Sequence, residues 1–298
     1  MQKQPRPSTV VHSTREYYSL PVIVRRPWNR PTRGYHDRIE GYTGKMVVQM
    51  EAVTPLHIGS GDYELDSEGL YIPFARKKGL LYIPGTSIKG AIRAYAEALS
   101  PSCEGGGCRG EGLCICCHIF GTQGLQGRVT FCDTEGLKEA KTQIQSVEAR
   151  WSAPPARAPA KGRRFYRHKA PLVPLARAAR ERLEVVPKGT KFKSEVFFMG
   201  LTREEMGLLL LAMGLWQQEP FSVKMGGGKN RGLGSVRLEV PDGVQLVGAN
   251  VYRSLQAVAS TKLEDLAKET VPSYLAWLTQ EELKVATNNL RAFRSDPP

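Results

Sequence analysis

Apolar and polar residues alternate over 45–54, KMVVQMEAVT. This sets Val48, Met50 and Ala52 on one side of an extended chain and Val47, Gln49 and Glu51 on the other, the period-2 signature of a first core strand. Two short apolar runs, 70–74 and 80–83, flank the turn-forming Arg76-Lys77-Lys78-Gly79 and predict a hairpin-like excursion. Pro84-Gly85-Thr86 then stops the strand and opens a helix. On it Ile88, Ala91, Ile92, Tyr95, Ala96 and Leu99 recur at helical spacing, with Lys89 and Arg93 on the opposite face. Strand patterns return at 128–132, 142–147, 183–186 and 192–199. Thr202-x-x-Glu205 is a capping box opening an apolar helix to about residue 216. A glycine-rich turn over 225–234 leads into a last core strand at 235–240, and Thr261-x-x-Glu264 and Thr279-x-x-Glu282 announce two further helices.

A strand, helix, strand order thus occurs twice, as in an α+β, ferredoxin-like (RRM-like) core. The expected organisation is an extended basic N-terminal arm (1–44) carrying seven arginines among prolines and aromatics, a core domain (45–242), and a small helical C-terminal appendage (243–298). The core is interrupted by a cysteine-rich insertion at 101–120 and by a protruding basic loop at 150–182, rich in proline and alanine and without a continuous period.

Composition narrows the function. The chain has 298 residues, enough to bury a full core, and 41% of them are apolar, against disorder. No run of about 18 apolar residues occurs and Met1 to Val10 lacks the apolar segment of a signal peptide, so a soluble, cytoplasmic protein without membrane association is expected. With 42 basic against 29 acidic residues the formal charge is +13. Such an excess favours a polyanionic partner, nucleic acid first, although a merely soluble basic protein has the same total.

Five of the six cysteines fall between Cys103 and Cys117, a crowding that reads as metal binding rather than disulfides in an intracellular chain. Cys103, Cys108, Cys114 and Cys117 are the expected ligands of a structural Zn²⁺, the last two spaced as in a zinc knuckle, with Cys116 or His118 as substitutes. Four protein ligands leave no open position, so the ion would fix a loop with too few apolar residues to fold alone.

Lys224-Met-Gly-Gly-Gly-Lys-Asn-Arg-Gly-Leu-Gly-Ser235 combines consecutive glycines with Lys224, Lys229 and Arg231. It suits a backbone nest for phosphate, or a plain flexible turn; it has neither the order of a Walker loop nor the strand-to-helix setting of a dinucleotide fingerprint. The 150–182 loop holds ten basic residues, among them Arg150, Arg163 and Arg164, one acid, and Trp151, Phe165 and Tyr166. Base with interleaved aromatic is the composition that grips phosphates and stacks on bases; a solvated basic loop is the bland alternative.

Taken in order, Thr54-Pro-Leu-His-Ile-Gly-Ser-Gly61, Tyr82-Ile-Pro-Gly-Thr-Ser-Ile-Lys-Gly-Ala-Ile-Arg93, Phe120-Gly121 and Gly226-Gly-Gly-Lys-Asn-Arg-Gly-Leu-Gly-Ser235 resemble the CRISPR RAMP superfamily over roughly 45–240. Within it the chain looks most like zinc-bearing backbone subunits of type III effector complexes, to which His36-Asp-Arg38 before Gly41-Tyr-Thr-Gly44 is also similar. The resemblance implies an RRM-like palm holding crRNA and a thumb, here 150–182, that interrupts the duplex between guide and complementary target RNA. It implies other effector subunits as partners. It also places Ser87, Lys89 and Arg93, with Gly227, Lys229 and Arg231, on the crRNA backbone, where a helix N-terminus and a basic nest suit phosphate.

Many such subunits cut target RNA with an aspartate between the "HIG" and "IPG" segments. Here Asp66 is the first choice, with Glu68 or Asp62 as substitutes, aided by Mg²⁺ or Mn²⁺. His57 is a candidate RNA contact or general base, or a histidine bonded near the core. A non-catalytic scaffold, a standalone ribonuclease processing precursor crRNA and a zinc-ribbon DNA-binding protein are the rival readings.

Overall fold

The computed structural model describes residues 17–28, 41–103, 107–109, 112–138, 141–148, 162–169, 180–247 and 258–295. In chain order the first half forms β1 (Tyr17–Leu20), β2 (Tyr42–Ala52), β3 (Glu64–Asp66), β4 (Gly69–Tyr71), β5 (Arg76–Lys77), β6 (Leu80–Leu81), α1 (Gly85–Leu99), α2 (Ile115–Phe120), β7 (Gly121–Thr122), β8 (Leu125–Gln126), β9 (Val129–Phe131) and β10 (Gln143–Glu148). The second half forms β11 (Arg163–Tyr166), β12 (Arg180–Val185), β13 (Lys191–Leu201), α3 (Arg203–Ala212), β14 (Val223–Lys224), β15 (Ser235–Glu239), β16 (Val244–Val247), β17 (Val258–Thr261), α4 (Leu263–Trp277) and α5 (Gln280–Arg294).

The alternation read at 45–54 becomes β2, whose Met46, Val48, Met50 and Ala52 are buried while Val47, Gln49 and Glu51 stay half-buried. β2 lies inside an antiparallel sheet with the order β14-β15-β2-β13-β9. Its other long neighbour, β13, buries Phe192, Ser194, Val196 and Phe198 and turns Lys191, Lys193, Phe197 and Met199 outward. β16 adds to the same edge of β2 as β15, at Gly44–Met46, and β17 pairs with β16, so the sheet curls at that end. Helix α1 connects β2 to β9 around β13, and α3 connects β13 to β15, so the strand, helix, strand unit recurs as the sequence pattern required. The main apolar core runs between the sheet and the helices.

Three local features explain the boundaries. Lys78 and Gly79 both have positive φ, +53° and +79°, the mirror-image turn that closes the two-strand hairpin β5–β6. Thr202 caps α3 by accepting from the Glu205 amide while Glu205 accepts from the Thr202 amide, and α3 ends at Ala212, short of residue 216. Thr279 and Glu282 form the same box at α5, whereas Thr261 does not cap α4: its backbone pairs with Val244 as the last residue of β17, and Lys262 takes the N-cap position.

Residues 243–298, expected as a helical appendage, supply β16 and β17 to the sheet, and α4 packs on α3 while α5 packs on α1. Tyr274 of α4 is wholly buried and donates to the Leu99 carbonyl at 2.6 Å. Of the N-terminal arm, residues 17–28 lie against the core: the Trp28 indole donates to Glu205 at 2.9 Å, and Arg26 binds Glu282 at 2.8 and 2.9 Å and stacks on Trp277. His36 to Arg38 lie outside the described residues. Within the span read as a loop, Arg163–Tyr166 pairs with β1, because Phe165 has an apolar pocket to fill against Tyr18, Tyr95 and Phe293. β12 pairs with β10 as a separate two-stranded ribbon. Among the described residues no helix is long and apolar enough to cross a membrane.

Candidate nucleic-acid interface and metal centre

The Ile-Pro-Gly-Thr-Ser segment is explained by packing at the start of α1. A Cβ on Gly85 would lie 2.0 Å from the Phe131 carbonyl oxygen, so only glycine lets the helix start this close to β9. The Gly85 amide donates to Asp133 at 3.0 Å, and Asp133 also pairs with Lys77 at 2.8 Å. Thr86 and Ser87 of the first turn then face a groove of about 310 Å³ bounded by Gly90, Arg164, Tyr166, Gly226 and Lys229. A second hollow of about 440 Å³, lined by His57, Asp62, Tyr63, Glu181 and Gly226–Gly228, shares Ser87 and Gly226 with the first. The two adjoin at these residues and together line a channel-like surface past the helix N-terminus, whose dipole favours an anion there.

The glycine loop is docked, not loose. The Gly227 amide donates to the His57 carbonyl at 2.9 Å, Gly234 to Pro55 at 2.9 Å, and the buried Lys224 ammonium to the Leu233 carbonyl at 2.8 Å. Lys224 therefore holds the loop, and the Gly227 amide is already engaged. Lys229, which opens a 3₁₀ turn over Lys229–Arg231, sits 5.9 Å from the Tyr166 ring centre, and Arg164 lies 4.3 Å over Tyr17. The half-buried Arg231 donates its amide to the Gly228 carbonyl at 2.8 Å.

His57 lines the channel although its side chain is buried. Its Nδ1 bonds the Glu184 carbonyl oxygen at 2.6 Å, which makes Nδ1 the protonated nitrogen, and burial holds its pKa below the ordinary histidine value. Glu184 is a keystone that the sequence pattern did not single out. Its carboxylate accepts from the Phe74 amide at 2.7 Å and from Arg76 at 2.5 and 2.7 Å. Burial pushes it up, but these donors outweigh burial and leave it below the usual carboxylate range. An acid inside the apolar run 183–186 was the available signal.

The three candidate acids separate in space. Asp62 is exposed and lines the channel beside Tyr63. Asp66 and Glu68, at the tip of the β3–β4 hairpin, are both held by Arg182, at 2.6 and 2.9 Å for Asp66 and 2.8 Å for Glu68. The predicted basic residues separate too. Ser87, Arg164, Gly227 and Lys229 come together on the channel with His57. Arg93 instead donates to Glu97 at 2.8 Å, to the Gly121 carbonyl at 2.9 Å and to Cys117 Sγ at 3.5 Å, while Arg163 donates to Glu97 and to the Cys103 carbonyl, both at 2.6 Å. Lys89, half-buried one turn before Arg93, is lowered in pKa first by burial and then by Arg93. Arg150 lies outside the described residues.

Cys103, Cys108, Cys114 and Cys117 are buried with their sulfurs all within 4.8 Å of one another. Cys103 Sγ is 3.6 Å from Cys117 Sγ and 3.8 Å from Cys114 Sγ. Tetrahedral zinc with bonds of about 2.3 Å sets its sulfurs about 3.8 Å apart, so the cluster is compatible with a structural zinc ion. Amides of Cys108 and Cys114 and the Arg25 guanidinium also donate to these sulfurs, at 3.3, 3.4 and 3.3 Å. Hydrogen bonding from Cys117 draws the Cys114 thiol down to about 4, whereas burial, followed by the charge on Cys114, pushes Cys103 up to about 11. Cys116 is outside this set: it is wholly buried against the Ser100 hydroxyl at 3.2 Å, and His118 is likewise not one of the four.

A family model described as the RAMP superfamily matches residues 49–237. No curated protein sequence matches the chain. The match covers most of the chain and spans both walls of the channel and all four cysteines, so the chain belongs to the RAMP superfamily, a CRISPR-associated, RNA-binding family.

Proposed function

We propose that the chain is a crRNA-binding backbone subunit of a type III CRISPR effector complex, with a ferredoxin-like core and a structural Zn²⁺, working beside other effector subunits in the cytoplasm. The observation that carries this reading is the groove that brings together the α1 N-terminus at Ser87, the glycine loop with Lys229, and Arg164 with Tyr166 on β11, with the second hollow adjoining it at Ser87 and Gly226. Hydroxyl, ammonium, guanidinium and aromatic groups in one groove serve phosphates and base faces without reading sequence. Sequence selection then belongs to guide pairing. The ferredoxin-like reading rests on the order β15-β2-β13-β9 and its two helical crossovers. The thumb in this reading is the 150–182 span, although its Arg163–Tyr166 forms β11 on the channel and its last described residues begin β12.

Cleavage of target RNA, in this reading, is the work of Asp62. Its carboxylate would take the proton from a ribose 2′-hydroxyl as that oxygen bonds to the adjacent phosphorus, the bond to the 5′-oxygen breaks, and that oxygen leaves with a proton from water. Asp62 and Glu181 are the channel carboxylates that would hold Mg²⁺ or Mn²⁺, which supplies charge stabilisation when bound. A non-catalytic scaffold is the second reading, favoured by the engagement of Asp66 and Glu68 with Arg182.

The test is the salt dependence of binding to a labelled single-stranded RNA. Lys229→Ala and Arg164→Ala should each weaken binding uniformly across sequences and reduce the slope of log affinity against log salt by about one phosphate contact. Unchanged affinity and slope in both would reject the channel. Cutting of precursor crRNA by the isolated protein would point to a standalone processing enzyme instead.

A further inference from the structure

The four-cysteine cluster and the channel wall share one buried carboxylate. Glu97 is 6% exposed and bonds two guanidinium groups, Arg93 at 2.8 Å and Arg163 at 2.6 Å. Arg93 reaches Cys117 Sγ and the Gly121 carbonyl beyond it, and Arg163 reaches the Cys103 carbonyl. Two of the four cysteines are thus tied to one acid on α1, and a third, Cys108, takes the Arg25 guanidinium. Arg163 is also the first residue of β11, whose next residue, Arg164, and last, Tyr166, line the channel.

Charge explains why these groups sit together. A divalent ion bound by four thiolates carries a net charge of minus two, and a buried charge of that size requires partners. Arg25, Arg93 and Arg163 with Glu97 supply a net plus two, so the assembly is neutral with the metal bound. Without the metal nothing gathers the Cys103 and Cys117 segments at one point, and the Arg163 bond to the Cys103 carbonyl and the Arg93 bond to Cys117 Sγ lose their fixed partners. Of these arginines Arg163 is the one that stands on β11, which the four-residue β1–β11 ladder and Phe165 in its aromatic pocket hold, so a shift of the Cys103 segment reaches β11 through Arg163.

We propose that Glu97 is a positioning residue that couples metal occupancy of the four-cysteine site to the placement of β11, so that the metal sets the channel's RNA grip without touching RNA. The RNA half of this rests on the proposed function above; the metal half does not.

The experiment uses the full chain loaded with zinc, or with Co²⁺ for its thiolate absorption. Glu97→Gln, which keeps the shape and removes the charge, should release metal to a chelator at least about tenfold faster, the size of effect typical of an outer partner of a metal ligand, and should bind single-stranded RNA more weakly. Removing metal from the unaltered protein should speed hydrogen exchange at the 163–166 amides and leave 191–201 of the central sheet protected. This second measurement stands if Glu97→Gln fails to fold. Exchange at 163–166 that ignores the metal would overturn the proposal, as would metal release from Glu97→Gln at the native rate. If metal release and exchange respond while neither Arg164→Ala nor Glu97→Gln alters RNA binding, the coupling holds and the channel reading fails.

Discussion

Arg182 grips both carboxylate oxygens of Asp66, at 2.6 and 2.9 Å, and so staples the tip of the β3–β4 hairpin to the β10–β12 ribbon. The hydrogen bonds from Arg182 hold the Asp66 carboxyl below the ordinary aspartate value. A depressed folded-state pKa stabilises above the unfolded value and is lost as pH falls through the folded one. Arg182→Ala should therefore raise the Asp66 pKa toward 3.8 in a carboxyl NMR titration and loosen the 64–71 hairpin in hydrogen exchange. An Asp66 titration that does not move would show the pair to be a surface coincidence.

The same staple orders the candidate acids. Asp62→Ala should abolish this subunit's cut in a guide-matched RNA, with Mg²⁺ or Mn²⁺ present and complex assembly intact. Asp66→Ala and Glu68→Ala should preserve the cut, because their carboxylates are directed to Arg182. Loss of the cut in Asp66→Ala alone would return the catalytic role to that residue. Survival in all three variants would leave the scaffold reading.

Periodicity gave β2, α1 and β13 their places because each buries one regular face against the core. The cysteine set was legible from spacing, since ligands of one ion must return to one point within a few residues. The division among the basic residues was not legible. Lys89 and Arg93 are four apart and were expected to face one ligand, yet Arg93 is drawn to Glu97, Gly121 and Cys117, partners that tertiary packing alone supplies. Helix spacing did offer a signal, the Arg93–Glu97 pair at i and i+4. β11 was missed because a four-residue strand with one buried aromatic carries almost no periodic signal.

The sulfur geometry separates Cys116 from its neighbours. Cys116→Ser should keep the bound metal and the Co²⁺ thiolate spectrum, since Cys116 meets Ser100 rather than the cluster. Cys108→Ser should lose metal and lower the thermal midpoint, because metal binding energy becomes folding energy in such a module. Metal content per chain by elemental analysis, read with the melting curve, checks both.

His57 makes a pH prediction. Burial lowers its pKa below 6.5 and outweighs the bond from Nδ1–H to the Glu184 carbonyl, which favours the charged ring, so the folded ring resists the proton that the unfolded chain accepts. Its contribution is complete above about pH 6.5 and is lost as pH falls below that value, at up to about 1.4 kcal/mol per pH unit until the folded ring itself protonates. Urea unfolding between pH 5 and 7 should show this slope, and His57→Gln should flatten it. A slope equal in the two proteins would assign the acid sensitivity elsewhere.

Two channel glycines should respond in opposite ways to one added methyl group. Gly226 has φ +81°, and a Cβ there would stand 2.0 Å from the His57 carbonyl oxygen, a backbone atom that cannot step aside alone. Gly226→Ala should cost more than the roughly 1 kcal/mol of left-handed strain and weaken RNA binding by pulling the glycine loop off residues 57–59. Gly90 sits inside α1, where an added Cβ would meet nothing within 4 Å, so Gly90→Ala should stabilise the helix by about 0.5–1 kcal/mol. Gly90 also lines the groove beside Ser87 and Arg164, so the added methyl narrows the space offered to RNA. A higher melting temperature with weaker RNA binding in Gly90→Ala would show the glycine retained for access at the expense of stability. Higher stability with unchanged affinity would place the RNA path away from this face of α1.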